Sequence, residues 1–142
     1  MSWSRLKAKI EERFAPSLRD RVAVHFTSYR GAVSEAGRGW LLIDQSELPL
    51  AAIQLFNAPR APGQHDHWTF HDALVAYLDL RLEDALRAAE PLHRALAMID
   101  RRLGRRRFEA LRLAPDEHPW VRQLYELRGS AEHWRASVGG AA

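Results

Sequence analysis

The chain contains no cysteine, which excludes disulfides, thiolate metal sites and a cysteine nucleophile together. Lysine is nearly as scarce: of 21 basic residues two are lysines, Lys7 and Lys9, and the other 19 are arginines. No apolar run approaches the roughly 20 residues that a membrane helix needs. The opening Met-Ser-Trp-Ser-Arg-Leu-Lys passes straight into an amphipathic pattern with no apolar signal core. The expectation is a cytoplasmic protein without a membrane partner. Three catalytic signatures are missing as well: the Gly-x-Ser-x-Gly elbow, the phosphate-binding glycine loop and His-Glu-x-x-His. No catalytic residue and no cofactor is therefore assigned.

What is present fits one folded domain. A chain of 142 residues buries roughly 68% of the surface its unfolded form exposes, enough to fold without a staple. The net charge of +3 is too small by itself to imply a nucleic-acid partner, so its distribution matters more.

Hydrophobic spacing predicts an α+β fold with an N-terminal helix, a small antiparallel sheet of two or three strands, and four or five short C-terminal helices. Trp3, Leu6, Ile10 and Phe14 recur on one helical face over 3–14, with Ser2 or Ser4 as cap and Pro16 as stop. Residues 21–29 alternate: Val22, Val24 and Phe26 point one way, His25, Thr27 and Tyr29 the other. Residues 30–39 hold three glycines and read as a hairpin loop before a second strand at 40–44; a third strand is expected at 51–56. Residues 57–67 read as a surface loop. Beyond it, Thr69 and Asp72 have capping-box spacing. Pro91 suits the first turn of a helix whose buried face is Leu92, Leu96, Ile99 and Leu103, with Gly104 as terminator. Asp116 is the expected cap of the last helix. The domain is placed at 1–128 and a frayed tail at 129–142.

Five arginines in seven positions, Arg101, Arg102, Arg105, Arg106 and Arg107, are the strongest local feature. Clustered guanidinium groups suit phosphate, since each presents a bidentate fork of donors. The competing reading is neutralisation within the fold: residues 72–90 carry a net −3 and residues 94–107 a net +5, so an acidic and a basic helix would pair off. His25, Tyr29 and Trp40 fall on strand faces that, if they coincide, form a platform able to stack unpaired bases. His65, His67 and His71 have spacing compatible with a zinc or nickel site, although two of them lie in a Pro/Gly loop.

The opening residues 1–7, together with Gly-Arg-Gly-Trp-Leu-Leu-Ile-Asp (37–44), the stretch 96–108 and the stretch 117–128, resemble a family of small uncharacterised bacterial proteins that open Met-Ser-Trp-Ser-x-Leu-Lys. The resemblance implies a single bacterial domain and carries no functional residues. The leading expectation is a non-catalytic module binding nucleic acid or another polyanion through Arg101, Arg102, Arg105 and Arg106, with His25, Tyr29 and Trp40 as stacking groups. The second is a protein-interaction module (an adaptor, a neutralising protein or a homodimer) engaging an acidic protein surface. The third is a metal-dependent enzyme centred on His65, His67 and His71.

Overall fold

The computed structural model describes residues 2–28, 37–47 and 67–135. Helix α1 runs Trp3–Glu12, with the Ser2 hydroxyl accepting the Arg5 N–H at 3.4 Å. Its apolar spacing buries Leu6 and Ile10, and a short 3₁₀ turn at Pro16–Leu18 leads into the sheet.

Strand β1 (Val22–Ser28) pairs antiparallel with β2 (Gly37–Ile43), which pairs with β3 (Ser46–Glu47), in the order β1-β2-β3. The turn into β3 is two residues long, with Asp44 at φ 50° and Gln45 at φ 71°. Two successive left-handed residues match the twist of the flanking strands. Asp44 is held there by Arg21, whose guanidinium donates to both carboxylate oxygens at 3.0 Å. The third strand expected at 51–56 lies outside the described residues, as do Tyr29, the loop 57–66 and the tail from 136; β3 comes earlier in the chain.

The outer edge of β1 is covered by side chains of α1. The Val24 N–H donates to the Glu11 carboxylate at 2.9 Å, and the Lys7 ammonium donates to the Val24 carbonyl at 2.8 Å. Lys7 and Glu11 also pair with each other. A free strand edge is a template for unwanted pairing, and here one helical turn occupies it.

Five helices follow among the described residues: α2 (His67–Leu78), α3 (Leu82–Leu86), α4 (Pro91–Ile99), α5 (Arg105–Ala110) and α6 (Pro119–Glu132). Val22, Val24 and Leu41 turn one sheet face into the core, where Phe70 of α2 meets β2 at Gly39. A Cβ at Gly39 would collide with the Phe70 ring, so only glycine allows this approach. Helix α4 packs on α6, and α5 is fixed by Phe108, which stacks on Tyr125 of α6 at 4.5 Å between ring centroids. Burying a side chain such as Phe108 contributes about 1.5–3 kcal/mol.

Four boundaries differ from the sequence expectation. Helix α2 starts at His67, ahead of Thr69. Helix α6 is capped by the His118 imidazole, whose Nδ1 accepts the Trp120 N–H at 3.1 Å, so Asp116 is not the cap. It also runs to Glu132, past the residue 128 boundary, because Gly129 is buried and Trp134 packs on Phe108 at 5.4 Å. Most consequentially, α4 ends at Ile99; Leu103 is buried from a turn, and Gly104 is the N-cap of α5, so it opens one helix where it was expected to close another.

Candidate functional site

The early end of α4 has a local cause. Asp100 is fully buried, with an extended backbone (ψ 134°), and its carboxylate gathers donors. One oxygen accepts the Arg102 N–H at 2.8 Å and Arg102 Nε at 3.0 Å; the other accepts the Tyr77 hydroxyl at 2.6 Å and Arg102 Nη2 at 2.9 Å. Behind it Arg128, 2% exposed, donates to the carbonyls of Met98, Asp100 and Leu103 at 3.2, 2.8 and 2.9 Å. These carbonyls face inward after the helix stops, where water cannot reach them, and one planar guanidinium satisfies all three. The N–H of Arg101 donates to the Arg13 carbonyl at 2.7 Å, tying the same turn to the end of α1.

Protonation follows from this packing. Burial alone would raise the Asp100 carboxyl, but hydrogen bonds from Arg102 and Tyr77 outweigh it and hold it below its ordinary value. Burial, then the neighbouring Asp100 charge, pushes the Tyr77 hydroxyl well up. Desolvation lowers Arg128, against the opposing pull of Glu132 and Asp100. Glu132 lies 3.3 Å away on the next turn of α6, and the Trp134 ring sits 4.7 Å from the guanidinium carbon.

The arginine run is therefore divided by its backbone. Arg102 is drawn onto Asp100, and Arg107 reaches Glu83 at 3.7 Å, the one ion pair between the basic run and the acidic segment 72–90 among the described residues. Arg101, Arg105 and Arg106 are exposed. Arg105 lies 3.4 Å from Glu109, whereas Arg101 and Arg106 have no ion-pair partner among the described residues. Arg105 and Arg106 also open α5 at the positive end of its dipole, with no acidic residue in that turn. Helix electrostatics disfavours cations there.

Two open grooves flank the run. Arg101 lines a smaller one, about 490 Å³, with Lys9, Arg13, Asp79 and Glu12. Arg105 lines a larger one, about 1110 Å³, between α5 and the end of α6, with Arg112, Arg135, Glu109, Glu126 and Trp134. The sequence reading missed Arg112, Trp134 and Arg135. They lie outside the dense run, two of them in the stretch taken for a frayed tail. A tryptophan seven residues beyond Leu127, two helical turns on along the same face, was the available signal against fraying.

The sheet places His25 and Trp40 as cross-strand partners on one face, rings stacked at 5.8 Å. Burial, then the Lys7 charge, lowers the His25 imidazole, with Glu11 opposing. Tyr29, their expected companion, lies outside the described residues. α1 spaces this pair from the arginines: Lys7 sits by Val24 and Arg13 by Arg101, about 9 Å apart along the helix axis. Of the three histidines weighed for metal, His65 lies outside the described residues. His67 opens α2, and half-buried His71 is 3.9 Å from the Asp72 carboxylate. Among the described residues, no group of three or more metal-ligating side chains forms, and no helix is long and apolar enough to cross a membrane.

A short sheet with a covered edge, five further helices and an arginine-rich turn anchored on a buried carboxylate define a small α+β protein with a basic surface. The chain belongs to the SF0329 protein family, which it matches over residues 2–54 and 51–129. No curated protein and no solved structure matches it.

Proposed function

We propose that the protein is a non-catalytic binding module that engages nucleic acid or another polyanion through the exposed part of its arginine run. The observation behind this reading is that Arg101 and Arg106 stay in solvent without a carboxylate partner among the described residues, although acidic side chains are close enough to capture their neighbours. Arg105 adds a third exposed cation. Arg102 leaves the contact set first proposed from sequence, since Asp100 holds it. A bacterial and cytoplasmic setting belongs to the same proposal, supported by the opening residues and the cysteine-free composition.

The test is a titration of labelled oligonucleotide, heparin and polyphosphate at several salt concentrations. Contact with three phosphates gives a slope of log affinity against log salt near −2 to −3, from about 0.7–0.9 per phosphate. The triple variant Arg101→Gln, Arg105→Gln, Arg106→Gln removes most of that slope. Absence of binding at low salt, or binding indifferent to salt, excludes the reading. Binding of acidic proteins but none of these polyanions supports the interaction-module alternative.

A further inference from the structure

We infer that the groove between α5 and the end of α6 seats a nucleotide unit of single-stranded nucleic acid, its phosphate against Arg112 and Arg135 and its base against Trp134. The inference rests on the polyanion reading and names the site and the ligand class within it.

The cations are positioned and not fully neutralised. Arg112 donates to the carbonyls of Glu109 and Leu111 at 3.2 and 2.9 Å, which fixes its side chain at the end of α5 without a carboxylate partner among the described residues. Arg135 is exposed, and its backbone N–H donates to Glu109 at 2.9 Å. Glu109 bonds that N–H and pairs with Arg105; the Arg135 charge acts on it as well, but the Arg135 guanidinium makes no ion pair with it and lines the groove. Bidentate forks of this kind match a phosphate.

Trp134 supplies the second half of the argument. His133 ends α6 in the left-handed conformation (φ 58°), and the Trp134 N–H returns to the Gly129 carbonyl at 2.9 Å. This helix-closing arrangement turns the indole back over the fold. The ring is backed by Arg128 at 4.7 Å and by Phe108 at 5.4 Å, yet Trp134 remains half-exposed and lines the groove. A rigid aromatic beside guanidinium groups is how single strands are held without sequence preference, because every unpaired base has a π-face. A duplex keeps its faces stacked internally and gains nothing from this ring. Glu126 faces the same groove without a partner among the described residues, and it opposes any anion that enters.

The experiment is fluorescence anisotropy with labelled oligothymidylate at low salt, with the same-length duplex and heparin as competitors and thermal melts of every variant. Arg135→Gln is expected to weaken binding several-fold and to lower the salt slope by about 0.7. Trp134→Leu is expected to weaken the single strand by about five-fold or more while leaving heparin affinity unchanged. Glu126→Gln is expected to tighten binding. Should Trp134→Leu fail to fold, Arg135→Gln and Glu126→Gln decide the matter between them. A folded Trp134→Leu that binds oligothymidylate like the parent, or a preference for duplex, overturns the inference while leaving the polyanion reading intact. Failure of the parent to bind any polyanion overturns that reading itself.

Discussion

Arg102 and Arg106 stand four residues apart in one basic run and have opposite fates. Arg102 folds onto a fully buried carboxylate; Arg106 sits in solvent at the wrong end of a helix for a cation. Composition treats them as one cluster. What separates them is the end of α4 at Ile99, which places one side of the run against the core and the other on a new helix. The buried half is organised by Asp100 and Arg128. The exposed half has no such organiser among the described residues; its pairs, Arg105 with Glu109 and Arg107 with Glu83, lie at the surface.

The comparison breaks most visibly at Arg128. Arg128→Ala strips a donor from three inward-facing carbonyls, leaving only that of Asp100 with another, the Leu103 N–H at 3.0 Å, and it removes the cation under Trp134. The expected loss is about 3–5 kcal/mol in a urea titration, a large share of the roughly 5–15 kcal/mol that holds a domain together. Arg128→Lys should recover little, since a single ammonium cannot reproduce the planar fork. A variant that unfolds at the parent midpoint shows that the turn does not depend on this residue.

A smaller effect is expected at Asp100. Asp100→Asn keeps the shape but sets an amide nitrogen against donors, because both carboxylate oxygens already accept two hydrogen bonds each. The cost at neutral pH is about 1.5–3 kcal/mol. Acid supplies an independent check on the same residue. The folded carboxyl lies below its unfolded value, so its contribution is complete above the unfolded value near pH 4 and is lost as pH falls through the folded one. The parent should lose stability on that limb more steeply than Asp100→Asn; parallel acid limbs for the two proteins remove Asp100 from the account.

The sequence carried the elements whose cause is local. The period of Trp3, Leu6, Ile10 and Phe14 gave the first helix, and the alternation from Val22 gave the strand; whether His25 and Trp40 share a face was left open by the alternation and is decided by the strand register. Pro91 opened its helix as expected. The failures came where tertiary partners decide. Leu103 continues the buried spacing of α4, so periodicity alone extends that helix to Gly104. It stops because Asp100 recruits Tyr77 from 23 residues away and Arg128 reaches back 28 residues to the Asp100 carbonyl. Residues 129–135 differ from the expected tail for the same reason: Gly129 suggests an end, but α6 runs on to Glu132 and Trp134 lies against Phe108, while the glycine- and alanine-rich residues beyond 135 lie outside the described residues. Of the candidate site, the arginine run was legible, but its division into held and free side chains was not.

The smallest effect is expected from the exposed half, and its sign matters more than its size. Arg106 is in the first turn of α5, where a carboxylate is favoured by about 0.3–1 kcal/mol over a neutral residue and a cation is disfavoured. Arg106→Glu should therefore raise the melting temperature slightly while weakening polyanion binding. An arginine retained for the fold would behave the other way, losing stability when replaced. If Arg106→Glu melts lower than the parent, the residue has a structural partner after all, and the contrast with Arg102 collapses. If it melts higher and binds oligonucleotide as before, the charge is surplus to both fold and ligand, and the binding surface is confined to the groove walled by Arg112 and Arg135.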